Sequence, residues 1–235
     1  MEINKVLFYR NAKAKRYIIR IMPDQSIRVT IPKYGTEQEA RQFLNDNIEK
    51  LHQKIDKNPL SIFEFNTNYQ SKFYTIKIIE TSLDNNVDII NRNVIIRISK
   101  QFPSNTSNAQ DYIAYILTQI LRKEAKLYIP KKVMEYANIH HLKVNDIKIN
   151  SARTRWGSCS GKNNLNFSLF LMQLPYELID YVILHELAHT IHKNHSSDFY
   201  RLLNQLSKGQ HQRLNKQLKQ FSPRIKAEYF QKIVN

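Results

Sequence analysis

The segment Tyr181-Val182-Ile183-Leu184-His185-Glu186-Leu187-Ala188-His189 narrows the possible fold more than any other part of this 235-residue chain. It is apolar apart from His185, Glu186 and His189, which stand in the spacing HExxH. On an α-helix, residues four apart differ by about 40° around the axis and about 6 Å along it, so His185 and His189 share a face. Glu186 lies about 100° round from His185. A helix this apolar must be covered on most sides by other elements. Pro175 suits a first helical turn, where its missing N–H costs nothing, and Glu177 falls near the positive end of the helix dipole. The helix should run from there toward His192.

Two imidazoles placed in this way can converge on one metal ion with bonds of about 2.0–2.1 Å, as zinc requires. Glu186 is too far round to join them as a ligand. It can instead reach a water at the ion and take its proton, which zinc makes available by lowering the water's pKa to about 7. A catalytic zinc needs a third protein ligand as well. The downstream candidates are His192, His195, Asp198, His211 and Glu228. His192 is on nearly the same face but about 4.5 Å further along the axis than His189, so it points past the ion. His195 is better placed. Lys193-Asn194 offers a helix exit, because Asn tolerates the left-handed conformation, and Ser196 or Ser197 can cap a following helix. His195 is therefore the expected third ligand, with His192 and Asp198 next in line. Arg153, Arg155, His192 and Tyr200 are near enough in sequence to stabilise an oxyanion, and the sequence does not choose among them.

The rest of the chain changes character near its middle. Val6–Tyr9, Tyr17–Ile21 and Ser26–Ile31 are β-branched or aromatic, and Ile27, Val29 and Ile31 alternate with Arg28 and Thr30 as in a strand with one buried face. Thr36-Glu37-Gln38-Glu39 fits a capping box for a helix carrying Ala40, Phe43, Leu44, Ile48, Leu51 and Ile55, ended by Asn58-Pro59. Strands are expected at Phe73–Ile79 and Val94–Ile98, with a polar turn at Leu83–Asn86. From about Ser107 the pattern is helical: Ile113, Ile116, Leu117, Ile120 and Leu121 line one face, and Pro130 should limit or kink the helix. A β-hairpin with arms Ile147–Arg155 and Asn164–Leu171 is expected beside the HExxH helix, turning near Gly161. Within it, Trp156 reads as a core anchor and Gly157 as a bulge. The organisation expected is a β-rich region at 1–106 and a helical region with the hairpin at 107–235.

Charge and cysteine content bound the setting. With 42% hydrophobic residues the chain can build a core. Lys and Arg total 36 against 20 Asp and Glu, a net charge of +16 that favours a polyanion such as nucleic acid as a partner. At the C-terminus Arg201, Lys208, Arg213, Lys216, Lys219, Arg224, Lys226 and Lys232 face only Asp198 and Glu228. Charges interrupt every apolar stretch near the N-terminus, and no run reaches the ~20 apolar residues of a membrane span. Cys159 is the only cysteine, which excludes an intrachain disulfide and suits a reducing, cytoplasmic setting. A lone cysteine is more often a small buried hydrophobe than a metal ligand.

Taken together, Arg155-Trp156-Gly157-Ser158-Cys159-Ser160, Leu165-Asn166, Pro175, Ile179–His189 and Asn194-His195-Ser196-Ser197-Asp198-Phe199 resemble the YgjP-like metallopeptidases, zinc-dependent hydrolases related to SprT-like proteins within the zincins. The likeness is specific across roughly 150–200 and looser upstream. It implies an α+β fold, with an antiparallel β-rich N-terminal half followed by a zincin-like helical catalytic half. It also implies His185, His189 and His195 as Zn2+ ligands, Glu186 as catalytic base, and a protein or peptide substrate. The SprT-like relatives suggest substrates held on nucleic acid. Tyr200 stands where the family often has tryptophan. The metzincin spacing HExxHxxGxxH fits the histidines too, but puts His192 at its glycine. In zincins a strand edge beside the active helix often pairs with an extended substrate, and Asn164–Phe167 is a candidate for it.

Overall fold

A computed structural model describes residues 6–21, 26–51, 62–102 and 106–233. Three short strands open the fold: β1 (Val6–Arg10), β2 (Ile18–Ile21) and β3 (Ile27–Ile31). They form a sheet in the order β1-β3-β2, with β1 parallel and β2 antiparallel to β3. Ile27, Val29 and Ile31 are buried, as their alternation requires. Helix α1 (Glu37–Asn45) covers them, and Thr36 and Glu39 complete the reciprocal capping box. The helix is broken at 46–47 and resumes over 48–51. Ile55 and Asn58-Pro59 lie outside the described residues. Ala40, Leu44 and Leu51 join the three strand residues in a small core of their own.

A second sheet follows, built from β4 (Thr67–Gln70), β5 (Thr75–Thr81), β6 (Asn86–Ile90) and β7 (Asn93–Ser99). Its order is completed by β11 (Gln231–Ile233) at the far end of the chain, giving β11-β4-β5-β7-β6, with only β5 and β7 parallel. The expected turn at Leu83–Asn86 runs straight into β6, an edge strand whose Ile89 and Ile90 face solvent. Two of its three apolar residues stay wet, so it left no alternating signature.

Helix α2 (Ser107–Ile139) crosses the centre of the molecule. Ile113, Leu117, Ile120 and Leu121 are buried on the expected face. Pro130 neither ends the helix nor limits it. Buried residues on both sides of it, Ala125, Ile129, Val133 and Ala137, continue the same stripe. Burying each large aliphatic among them contributes about 1.5–3 kcal/mol, enough together to exceed the roughly 3 kcal/mol that an internal proline costs.

The third sheet contains β8 (Asp146–Asn150), β9 (Gly157–Cys159) and β10 (Asn164–Ser168) in the order β8-β10-β9. The hairpin exists, but its first arm is β9 and not Ile147–Arg155. β8 instead lies on the other side of β10 and runs parallel to it. Pairing within the hairpin is regular, Leu165 with Cys159 and Phe167 with Gly157, so Gly157 is no bulge. Trp156 does anchor against the main core.

A 3-10 turn (Leu169–Gln173) leads to α3 (Tyr176–Ala188), α4 (Ser197–Leu206) and α5 (His211–Leu218). The carbonyl of Pro175 accepts from the amides of Leu178 and Ile179, which starts α3. α3 is the hub: Leu178, Ile179, Tyr181, Val182, Ile183, Leu184, Leu187 and Ala188 are all buried among α2, α4, α5 and β9. One continuous core runs from Phe63 to Phe230 and joins the second and third sheets to these helices. Among the described residues no helix is long and apolar enough to cross a membrane.

Candidate metal centre

His185 occupies the last turn of α3 and His189 its C-cap. The chain then turns at once: the amides of Thr190 and His192 bond back to Leu187 and Ala188. The exit therefore comes earlier than Lys193-Asn194, and no residue from 189 to 196 takes a positive φ. Lys193 has another role, its ammonium donating to the Ser160 carbonyl at 3.1 Å and to the Asn163 side chain, which ties this loop to the hairpin turn. Ser196 caps α4 by accepting from the Phe199 amide at 3.3 Å. The loop between these two anchors carries His195 back over the end of α3.

The result is a cluster of three imidazoles. Nε2 of His195 lies 3.2 Å from Nε2 of His185 and 3.2 Å from Nε2 of His189. A tetrahedral cation with bonds of about 2.0–2.1 Å has ligand atoms about 3.3–3.4 Å apart, so the donor set fits zinc. Among the described residues these three alone make such a group. The surroundings of His185 and His189 favour the neutral, ligating form. Burial, reinforced by His189, His195 and His211, pushes the His185 imidazole down to about 3. Burial also lowers His189, against the opposing hydrogen bond that its imidazole donates to the His192 carbonyl. That carbonyl lies 3.0 Å from Nδ1 of His189 and can only accept, so Nδ1 carries the proton and Nε2 keeps its lone pair for a cation.

Each rejected ligand has other work. His192 contributes its carbonyl. Asp198 pairs with Arg201 at 3.1 Å and Glu228 with Lys226 at 3.0 Å. Nδ1 of His211 lies 2.9 Å from the Tyr181 hydroxyl. The Cys159 thiol is outside the cluster and packs against the core. Burial pushes that thiol up, partly offset by the Lys193 ammonium at 3.8 Å.

Phe199 forms the floor of the centre, a role that the sequence did not assign to it. Its ring is fully buried, with its centroid 5.0, 4.4 and 4.8 Å from those of His185, His189 and His195. Tyr200 stacks on the outer side of His195 at 6.0 Å, a place an aromatic of either kind can fill.

Glu186 is buried between α3 and β9. Burial pushes its carboxyl up to about 8, with Arg155 pulling the other way. Among the described residues Oε2 has no hydrogen-bond partner. Burial with no partner for one oxygen favours the protonated carboxyl. Positive charge gathered at the cluster would draw its pKa back down.

A helix that presents two histidines to a third on the return loop, with a buried carboxyl alongside, is the arrangement of a metallopeptidase. More particularly, the chain belongs to the YgjP-like family: the model described as YgjP-like, metallopeptidase domain, matches residues 15–221. No curated protein matches the chain. Two solved structures bear a partial likeness. One is the metallopeptidase zymogen of Pyrococcus abyssi abylysin, 18% identical over 40% of this chain and 94% of that one, with a TM-score of 0.36. The other is the metallopeptidase zymogen of Methanocaldococcus jannaschii jannalysin, 26% identical over 39% of this chain and 94% of that one, also with a TM-score of 0.36.

Proposed function

We propose that this chain is a zinc-dependent peptidase in which His185, His189 and His195 hold the cation and Glu186 is the catalytic base. The observation that carries the reading is that Nε2 of His195 lies 3.2 Å from Nε2 of both His185 and His189, close to the ligand spacing of a tetrahedral site, beside a buried carboxyl whose Oε2 has no partner among the described residues. When bound, the cation supplies Lewis acidity, polarising a carbonyl and acidifying water. The remaining work falls to the chain. The His192 carbonyl fixes the His189 tautomer. Glu186 takes the proton of the attacking water and hands it to the departing amine. Asn164–Phe167 lies in β10, which β8 and β9 pair on both sides, so it offers no edge; β9 is the terminal strand of this sheet among the described residues, and it is the strand an extended peptide or protein substrate would join. A cytoplasmic setting is part of the same reading.

The alternative, a basic nucleic-acid-binding protein with a structural or vestigial zinc, leaves Glu186 without a purpose, because a structural site needs no proton acceptor. The test compares Glu186→Gln with His195→Ala. The first should keep metal at wild-type stoichiometry and lose hydrolysis of an unfolded protein substrate by about 10²–10⁴-fold. The second should lose the metal. Wild-type turnover in Glu186→Gln would refute the mechanism, and full metal retention in His195→Ala would move the third ligand elsewhere.

A further inference from the structure

We propose that Gly157 is the positioning residue for Glu186, and that β9 acts as a stop against which the carboxylate rests; this deepens the hydrolytic reading above and rests on it. A Cβ at residue 157 would lie 2.6 Å from Oε1 of Glu186, 2.7 Å from its Cγ and 2.8 Å from its Cδ. Ordinary contact begins near 3.4 Å, so any side chain there would require a displacement of about 0.6–0.8 Å. Only hydrogen leaves the carboxylate where it is.

Neither partner has room to yield without consequence. β9 is held by its pairing with β10, where Gly157 stands opposite the fully buried Phe167. The carbonyl of Trp156, the preceding residue, accepts from the Ser168 amide at 2.8 Å, and the Trp156 ring packs into the main core. The carboxylate is the far end of a flexible side chain, so it will move before the strand does. That movement costs some folding stability, because Cγ at 2.7 Å must shift along with the carboxyl. It is expensive for proton transfer, because a misplacement approaching 1 Å costs about 10²-fold in rate. The glycine is thus required by the base on the neighbouring helix, not by a turn: its φ is not positive.

The experiment is a double-mutant cycle between residues 157 and 186 on the full chain. Gly157→Ala should retain about one equivalent of zinc and lose about 10²-fold in kcat, with KM changed less than about threefold. Glu186→Ala removes Oε1, Cγ and Cδ, the three nearest atoms that the methyl group would meet. In that background Gly157→Ala should change kcat by less than about threefold. The contact is read separately from turnover by urea unfolding of metal-free protein. Gly157→Ala should lower the midpoint in the Glu186 chain and leave it unchanged in a Glu186→Ala chain. An equal kcat loss in the Glu186 and Glu186→Ala backgrounds would overturn the positioning role, and an equal midpoint loss with and without the Glu186 side chain would overturn the contact. A wild-type chain that hydrolyses nothing while the unfolding cycle behaves as expected would overturn the hydrolytic reading, and the positioning role with it, but leave the contact standing.

Discussion

Replacing Phe199 by leucine should loosen metal binding beyond what the lost packing alone requires. The Phe199 ring touches all three candidate ligand rings at centroid distances of 4.4–5.0 Å, so it sets their tilt as well as filling space. Truncation to alanine would cost about 3–5 kcal/mol, a large share of the roughly 5–15 kcal/mol that keeps a domain folded. Leucine avoids that difficulty because it stays apolar and branched, and the loss falls mainly on the ring contacts, each worth about 0.5–1.5 kcal/mol. Removing support from metal ligands typically weakens affinity by about 10–100-fold. At a zinc concentration of about 100 times the wild-type Kd, binding stabilises the wild type by about 2.7 kcal/mol. A Kd weakened by about 30-fold would leave about 0.9 kcal/mol. For a chain of this size that corresponds to a zinc-induced rise in Tm of about 5–11 °C in the wild type and about 2–4 °C in Phe199→Leu. The assay is thermal unfolding with zinc and with chelator, supported by competition against a chromophoric chelator. A variant with a lower Tm in chelator but the full zinc-induced rise would refute the argument, because Phe199 would then pack without orienting the ligands.

Three further outcomes are expected. Glu124 is buried, and burial holds its carboxyl above the usual carboxylate range, against hydrogen bonds to Oε1 from the Ser71 hydroxyl at 2.6 Å and the Phe73 amide at 2.7 Å and against the nearby Lys72 ammonium. A raised folded pKa means that the native state binds the proton more tightly. The stability it contributes is therefore complete below the ordinary value of 4.5 and is lost as pH rises through the folded value. Glu124→Gln keeps the acceptor without the charge, so wild-type stability relative to this variant should fall as pH rises from about 4.5, and a flat difference in urea unfolding would refute the assignment. Ser196→Ala removes the α4 cap and should cost about 1 kcal/mol, with weaker zinc binding because α4 carries Phe199; unchanged unfolding would show the cap to be idle. If the charge excess serves nucleic acid, DNA binding should weaken steeply across a salt series, whereas a flat response or no binding at low salt would leave the charge without that role.

The C-terminal basic run illustrates a limit of reading charge along the chain. Arg213 pairs with Glu177 of α3, and Lys232 pairs with Glu64 at 2.8 Å. These acids are 36 and 168 positions away, so counting local neighbours overstated how much of the positive charge stands unopposed. β11 shows the same limit, because a three-residue strand at the chain end has no pattern of its own and exists only where β4 offers an edge.

The candidate ligands were legible because helix geometry is local. A spacing of four residues fixes the relation of His185 to His189, and a capping serine fixes where the next helix must begin, which left His195 well placed. Helical periodicity likewise gave α2, and alternation gave β3. Pro130 does not end α2, because its cost is local while the burial that exceeds it is spread over two further turns. Gly157, Phe199 and the His192 carbonyl were invisible as functional parts, since each acts on a residue of another segment or through a backbone atom common to every sequence. Spacing along a chain determines which side chains share a face. Only packing determines what stands behind them, and here it is the packing that tilts three rings to a common point and presses one carboxylate against a strand without a side chain.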